Sequence, residues 1–174
     1  VHVPASAQPT MWSPEQAALM EFAGLAFSVE RGGTKSLSYA PLSVAQAFIA
    51  TVNRSGLDPF AKQIYAANIG GKWTILAGID GLRLVAQRTG KYLGQTPVEY
   101  TADGEKWVAA WLDSTPPAAA RVGVKKAGET DPTYMVATWK EFGKNSWEQP
   151  AHMLGIRAES HALRKAFPME MSGL

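Results

Sequence analysis

Cysteine, long apolar runs and clustered histidines are absent from this sequence. Without cysteine the chain forms no disulfides and no thiolate metal sites, and it has no cysteine nucleophile. The three histidines, His2, His152 and His161, are too scattered for an ordinary zinc site. No segment approaches the roughly 20 apolar residues that span a bilayer, and the start lacks the pattern of a signal peptide. We therefore expect a soluble cytoplasmic protein without a metal, a cofactor or a membrane partner.

A strong excess of charge of one sign is absent as well, since the net charge is only +2. Any nucleic-acid site must therefore be local. The 46% hydrophobic and 10% aromatic content of the 174 residues excludes a mostly disordered chain. We expect a flexible N-terminal arm over residues 1–11 and a single core domain over residues 12–174. Because the chain starts at Val1 and ends without a polar tail, we also expect it to be part of something longer.

The motifs of common catalytic sites are missing. The Gly-Lys pairs that begin at Gly71, Gly90 and Gly143 lack both the following Ser or Thr and the preceding glycine of a phosphate-binding loop. The G-x-S-x-G elbow of serine hydrolases is also lacking. A Mg²⁺ site stays open at Asp80, Glu99, Asp103, Glu105 and Asp113, although Asp103 lies in a predicted turn and Asp80 opens a predicted helix, where a carboxylate is an ordinary cap. We expect a protein that is not an enzyme.

Two helices are predicted in the N-terminal part of the chain. Ser13 and Gln16 form a capping box that begins a helix extending to about Val29. A loop over residues 32–36 follows. Ser43 begins a second helix, whose apolar residues keep helical spacing until Gly56.

After residue 60 the apolar period changes from helical to two, which predicts three β-hairpins. They comprise residues 62–69 with 72–77, residues 97–102 with 105–112, and residues 119–126 with 133–142. A short helix from about Gly78 to Arg88 separates the first two hairpins. Successive hairpins predict an antiparallel, hairpin-rich sheet, and helices packed on that sheet give an α+β fold.

The segment from Trp147 to Pro168 predicts a long helix with an apolar stripe and a basic flank. The two sets lie about 100° apart around the helix axis, so one face is buried while the other is presented. Proline lacks the N–H that another turn requires, so the helix ends at Pro168. The apolar stripe comprises Met153, Ile156, Leu163 and Phe167, and the basic flank comprises Arg157, His161, Arg164 and Lys165.

Basic and aromatic residues alternate between Lys62 and Lys91, where Asp80 is the only acidic residue. Cations along a groove neutralise phosphates, and aromatic faces stack on bases of any sequence, so this pattern predicts single-strand nucleic-acid binding. Trp73 fits a core position better than a base platform. The basic residues are Lys62, Lys72, Arg83, Arg88 and Lys91, and the aromatic ones are Tyr65, Trp73 and, directly after Lys91, Tyr92. Arg121, Lys125 and Lys126 are balanced by nearby acids and are interpreted as a solvated strand end.

A series of short motifs over residues 42–174 occurs in a specific order and spacing. They are Gly56-Leu57-Asp58-Pro59-Phe60, Gln63-Ile64-Tyr65, Ile79-Asp80-Gly81 with Arg83, Gly90-Lys91-Tyr92-Leu93-Gly94, Trp147, Pro150-Ala151-His152-Met153-Leu154, Arg157-Ala158-Glu159 and Ala162-Leu163-Arg164-Lys165-Ala166-Phe167-Pro168. In this order they resemble the RecT/Bet (Redβ-like) family of phage single-strand annealing recombination proteins. The motifs cover about three quarters of the chain, so chance does not account for the resemblance.

The resemblance implies ATP-independent binding of single-stranded DNA and annealing of complementary strands in homologous recombination, by an oligomeric ring or filament. It also implies an annealing-protein core fold, in which DNA lies in a basic groove between a hairpin-rich sheet and a long helix. The implied partners are single-stranded DNA, the annealed duplex intermediate, further copies of the chain and an exonuclease, in the cytoplasm of a bacterial host cell. By this analogy the DNA-binding residues are Lys62, Tyr65, Lys72, Arg83, Lys91, Arg157, Arg164 and Lys165.

This chain departs from the family pattern in two respects. Ala151, His152 and Gly155 stand where several members carry basic residues, and the C-terminal segment that members use for partner proteins is not in this sequence. Two alternative functions stay open. One is a Mg²⁺-dependent nuclease that uses Asp80 and Glu99, and the other is a passive module that binds single-stranded DNA without annealing it.

Overall fold

The computed structural model describes residues 3–31 and 33–174, which form two compact units. The first unit extends to Gly81 and includes Gly173 and Leu174, and the second comprises Leu82–Ser172. Both combine helices with small antiparallel sheets, so the α+β class is confirmed. The predicted arm over residues 1–11 and single domain over residues 12–174 stay predictions, and residues 1 and 2 of the arm lie outside the described residues.

The first unit is built from two helices and two hairpins. β1 pairs with β2 and β3 with β4, both antiparallel, in separate two-stranded sheets. α3 begins in this unit and ends in the second. The elements are a 3₁₀ turn Pro9–Met11, α1 Pro14–Phe22, β1 Ala26–Arg31, β2 Thr34–Tyr39, α2 Leu42–Ser55, β3 Ile64–Ile69, β4 Lys72–Ala77 and α3 Ile79–Arg88.

The first helix begins as predicted and ends early. The Ser13 side chain accepts from the Gln16 N–H at 3.3 Å, and the Gln16 side chain accepts from the Ser13 N–H at 3.0 Å. The predicted extension to Val29 is wrong, because Gly24 adopts a φ of +83° and the chain then enters β1. The predicted loop over residues 32–36 is also wrong from Thr34 onward, where β2 begins, and its first residue lies outside the described residues.

The second helix and the first predicted hairpin are confirmed, although the helix begins at Leu42 after Pro41 and not at Ser43. α2 ends at Gly56, whose φ of 62° is the left-handed conformation common after a helix C-terminus. The turn between β3 and β4 uses Gly70 and Gly71 at φ values of 59° and 83°. Glycine adopts such angles without strain, which explains why the pair marks a tight hairpin.

In the second unit, β7 is the central strand and pairs antiparallel with β5, β6 and β8. The long helix α5 packs on β7 and β8. The elements after α3 are β5 Tyr92–Gln95, β6 Glu99–Thr101, β7 Ala119–Lys126, β8 Thr133–Thr138, α4 Trp139–Phe142 and α5 Pro150–Ala166.

Within residues 3–31 and 33–174 the strands form three sheets, and the predicted strands lie in two of them instead of the one that successive hairpins suggested. The hairpin of residues 97–102 with 105–112 is wrong, because its pairing is limited to a bridge between Tyr100 and Val108, while β6 pairs with β7. The hairpin of β7 with β8 is confirmed, but it stops at Thr138. There the Thr138 side chain accepts from the Glu141 N–H at 3.3 Å and caps α4.

The buried face of α5 differs from the predicted apolar stripe. Met153 and Ile156 are only half-buried, whereas the predicted stripe residues Leu163 and Phe167 are buried. The buried residues within the helix are Leu154, Gly155, Ala158, Glu159, Ala162, Leu163 and Ala166. Small residues dominate this face because they allow close packing: a Cβ at Gly155 would lie 3.0 Å from a methyl carbon of Val98.

Candidate nucleic-acid interface

The β3–β4 hairpin presents Tyr65 and Lys72 on the same face. Lys72 lies opposite Ile69, and residues two or four apart on a strand point the same way. Both side chains are exposed, at a spacing along the hairpin of roughly 13 Å by strand geometry. Trp73 lies on the opposite face, where its ring centroid is 6.0 Å from that of Phe27. Trp73 is thus a half-buried packing residue, as its hairpin position predicted.

The turn before β3 places Lys62. Asp58 Oδ1 accepts from the Phe60 N–H at 2.8 Å, and the Asp58 N–H donates to Gln63 Oε1 at 2.9 Å. Lys62 follows with a φ of 53°, which is uncommon for a residue other than glycine. The exposed Lys62 ammonium lies 5.4 Å from the centroid of the Phe22 ring. Lys62 and Tyr65 therefore line one cleft of the first unit.

On α5, Arg157, His161 and Arg164 form a continuous row, since residues three and four apart share a helix face. Burial lowers the pKa of His161 from 6.5, the charges of the two arginines lower it further, and Glu141 partly opposes them. The Phe142 ring packs against the imidazole, with centroids 5.1 Å apart. The row therefore carries two permanent cations around a histidine that is mostly neutral at pH 7.

Arg83 forms an ion pair with Glu159. Its Nε and Nη2 donate to the two carboxylate oxygens of Glu159 at 2.6 and 2.7 Å. The Glu159 side chain is 3% exposed and that of Arg83 is 39% exposed. A carboxylate this buried requires a charged partner. The sequence alone did not reveal this pair, although an acidic residue among the small residues of α5 was a usable signal.

The other predicted contacts of the second unit are exposed. Lys91 precedes β5, where its carbonyl accepts from the Ala127 N–H at 2.8 Å and its own N–H donates to Thr89 Oγ1 at 3.0 Å. Lys165 lies next to Arg164 on α5 but about 100° around the axis. Both lysines thus offer exposed side chains from an ordered backbone.

The sequence predicted that Arg121, Lys125 and Lys126 on β7 are solvated basic residues, and this is wrong for two of the three. Lys126 Nζ donates to the Ala166 carbonyl at 2.8 Å and lies 3.3 Å from Glu129, so it caps the C-terminus of α5. Arg121 Nε donates to Glu99 at 2.8 Å, and its guanidinium lies over a tryptophan ring. Lys125 alone of the three fits the solvated description.

The predicted DNA contacts fall into one set per unit. The first unit holds Lys62, Tyr65 and Lys72, and the second holds Arg83, Lys91, Arg157, Arg164 and Lys165. The common groove and the DNA-binding role of these residues stay predictions.

No group of three or more histidine and acidic side chains that could hold a metal ion occurs in residues 3–31 and 33–174. Within those same ranges, none of the helices has both the length and the apolar character needed to cross a bilayer.

A comparison with known protein families matches most of this chain. A search of curated proteins finds no match. The family model described as RecT family matches residues 34–174, a span that includes all eight predicted DNA contacts. Since this match covers far more than half of the sequence, the chain belongs to the RecT family, whose proteins bind single-stranded DNA and anneal strands in DNA recombination.

Proposed function

We propose that this chain binds single-stranded DNA through its phosphates and anneals it to a complementary strand without ATP. The observation that carries the proposal is the row on α5, where Arg157 and Arg164 flank His161 on a helix packed against the sheet. Because the helix already holds these cations in place, little conformational entropy is lost when they neutralise phosphates.

Contact with the DNA backbone, and not with the base edges, explains how the protein anneals strands. A strand bound by its phosphates keeps its base edges free to test a second strand. Base pairing supplies the free energy of annealing, so no nucleotide hydrolysis is needed. Because phosphates are the same in every sequence, the binding should show little sequence preference.

The proposed phosphate contacts are Lys62 and Lys72 in the first unit and Lys91, Arg157, Arg164 and Lys165 in the second. Tyr65 supplies an aromatic face beside Lys62. Arg83 is proposed as a weaker contact than the others, because the buried carboxylate of Glu159 largely cancels its charge. Its first role is to hold α3 against α5.

We further propose that the protein acts as a ring or filament. A few phosphate contacts per protomer bind weakly, whereas neighbours on one strand raise each other's effective concentration. Family membership also supports an exonuclease that supplies the single strand, an annealed duplex intermediate as a second ligand, and activity in the cytoplasm of a bacterial host.

The test combines strand binding with strand annealing. Fluorescence anisotropy of a labelled oligonucleotide should give a slope of log K against log salt of roughly −3 to −4, as expected when four to six phosphates are neutralised per protomer. Two complementary labelled strands should anneal faster with the protein, in EDTA and without ATP.

Two results would contradict the proposal. Slower pairing of coated strands would indicate a passive binding module. Shortening of the strands on a denaturing gel, dependent on Mg²⁺, would indicate a nuclease.

A further inference from the structure

A small open cleft in the first unit has the features of a nucleobase site. It lies between the end of α1 and the start of β3, next to Lys62 and Tyr65. Its volume is about 270 Å³. This is near the lower end of the range for small-ligand sites, roughly 300 to 1,000 Å³.

Small residues form the floor of the cleft. The Ala66 N–H donates to the Ala23 carbonyl at 2.8 Å, which joins β3 to the end of α1. Gly24 lets the two segments approach, since a Cβ at this position would overlap the Ala66 carbonyl oxygen. The residues of this floor, Ala23, Gly24 and Ala66, therefore carry no side chain larger than a methyl group.

Aromatic rings stand exposed at the edge of the cleft. Phe22, which lines the cleft, is 50% exposed, and the ring of Phe60, which is 52% exposed, packs beside it with the two centroids 6.0 Å apart. Tyr65, which also lines the cleft, is 38% exposed. Apolar rings left in water at an ordered site favour a partner with a flat apolar face.

The charge beside the rings indicates which partner. Lys62 Nζ lies over the Phe22 ring, 5.4 Å from its centroid, so a cation is held against one face of this ring. Single-strand binding sites combine these two features, because a base stacks on the ring while its phosphate meets the cation. Lys72, on the same hairpin face as Tyr65, continues the positive charge beyond the cleft.

We infer that this cleft takes one unstacked base of a single DNA strand, stacked on Phe22, with Lys62 on the neighbouring phosphate. The inference rests on the proposed function and extends it from phosphate contact to base contact. Phe22 lies outside residues 34–174, so the site includes a residue that the family match does not cover.

The test compares a thymidine oligonucleotide with a strand of equal length made of abasic sites, which keeps the phosphates and removes the bases. Because one base stacked on an aromatic ring adds to the affinity, the wild-type protein should bind the thymidine strand at least roughly tenfold more tightly. Phe22→Ala should reduce this ratio to near one and leave the affinity for the abasic strand unchanged.

Two further variants separate stacking from packing. Phe22→Leu keeps an apolar side chain without an aromatic face, and it should lose the preference as Phe22→Ala does. Phe27→Ala is the matched control, because Phe27 is exposed on the same unit but packs on Trp73 outside the cleft. It should keep the tenfold ratio. Melting temperatures check that each variant folds, and quenching of 2-aminopurine in a strand bound to the wild-type protein tests stacking without any substitution.

The outcomes distinguish this inference from the proposed function. Equal binding of both strands by the wild-type protein, or a ratio that survives in Phe22→Ala, overturns the base site while strand binding stands. A change in oligomer size in Phe22→Ala with an unchanged ratio also overturns it and assigns the cleft to a second copy of the chain. Failure of the wild-type protein to bind either strand overturns the proposed function and this inference together.

Discussion

Arg83 and Glu159 form an ion pair, and we expect substitution of Arg83 to lower the free energy of unfolding more than substitution of Glu159. Arg83→Met leaves a carboxylate that is only 3% exposed without its partner. Loss of one member of a buried pair costs about 3 to 5 kcal/mol. Glu159→Gln leaves Arg83, which at 39% exposure can still be hydrated, and the amide retains an acceptor. We expect it to cost about 1 to 2 kcal/mol.

Urea unfolding followed by tryptophan fluorescence measures both costs. The double variant Arg83→Met with Glu159→Leu removes both charges, and it should recover most of the stability lost in Arg83→Met, because apolar replacement of a buried pair is often neutral. Equal costs for the two single variants, or no recovery in the double variant, would refute the assignment of the pair as buried and mutually dependent.

The same double variant tests the role of Arg83 toward DNA. Because Glu159 already cancels its charge, the folded double variant should bind single-stranded DNA with an almost unchanged salt slope. A slope reduced by about one would instead support the direct phosphate contact that the sequence predicted.

Three further predictions concern α5 and its neighbours. Arg157→Ala and Arg164→Ala should each weaken DNA binding and reduce the salt slope by about one. Phe167→Ala should instead destabilise the fold by about 3 to 5 kcal/mol, because the ring is fully buried. Equal melting temperatures for all three variants would contradict this. The folded protein lowers the pKa of His161, so its contribution to the free energy of unfolding is present above pH 6.5 and is lost as the pH falls through that lowered pKa. Over the same pH range DNA binding should strengthen, because the row of Arg157, His161 and Arg164 gains a positive charge. Anisotropy and urea midpoints across this range should show both changes in the wild-type protein and neither in His161→Gln. Lys126→Met should cost about 1 kcal/mol in urea unfolding, because the Ala166 carbonyl loses its donor, and it should leave DNA affinity unchanged.

Local signals were sufficient for much of the secondary structure. The capping box at Ser13 and the glycines at positions 56, 70 and 71 each act on their immediate neighbours, and the structure has a helix start, a helix end and a hairpin turn there. The long C-terminal helix and its basic row followed from the same short-range geometry. These features depend on dihedral preferences and hydrogen bonds within a few residues, which a sequence displays directly.

The tertiary structure alone decided which residues meet. Arg83 and Glu159 are 76 positions apart. No local sequence pattern distinguishes an arginine in an ion pair from an arginine that binds a phosphate. β6 pairs with β7 instead of its neighbour in sequence, and α5 buries small residues that an apolar stripe does not count. Choices of partner depend on close packing and on the neutralisation of buried charge across the whole fold, so they are made only when distant segments come together.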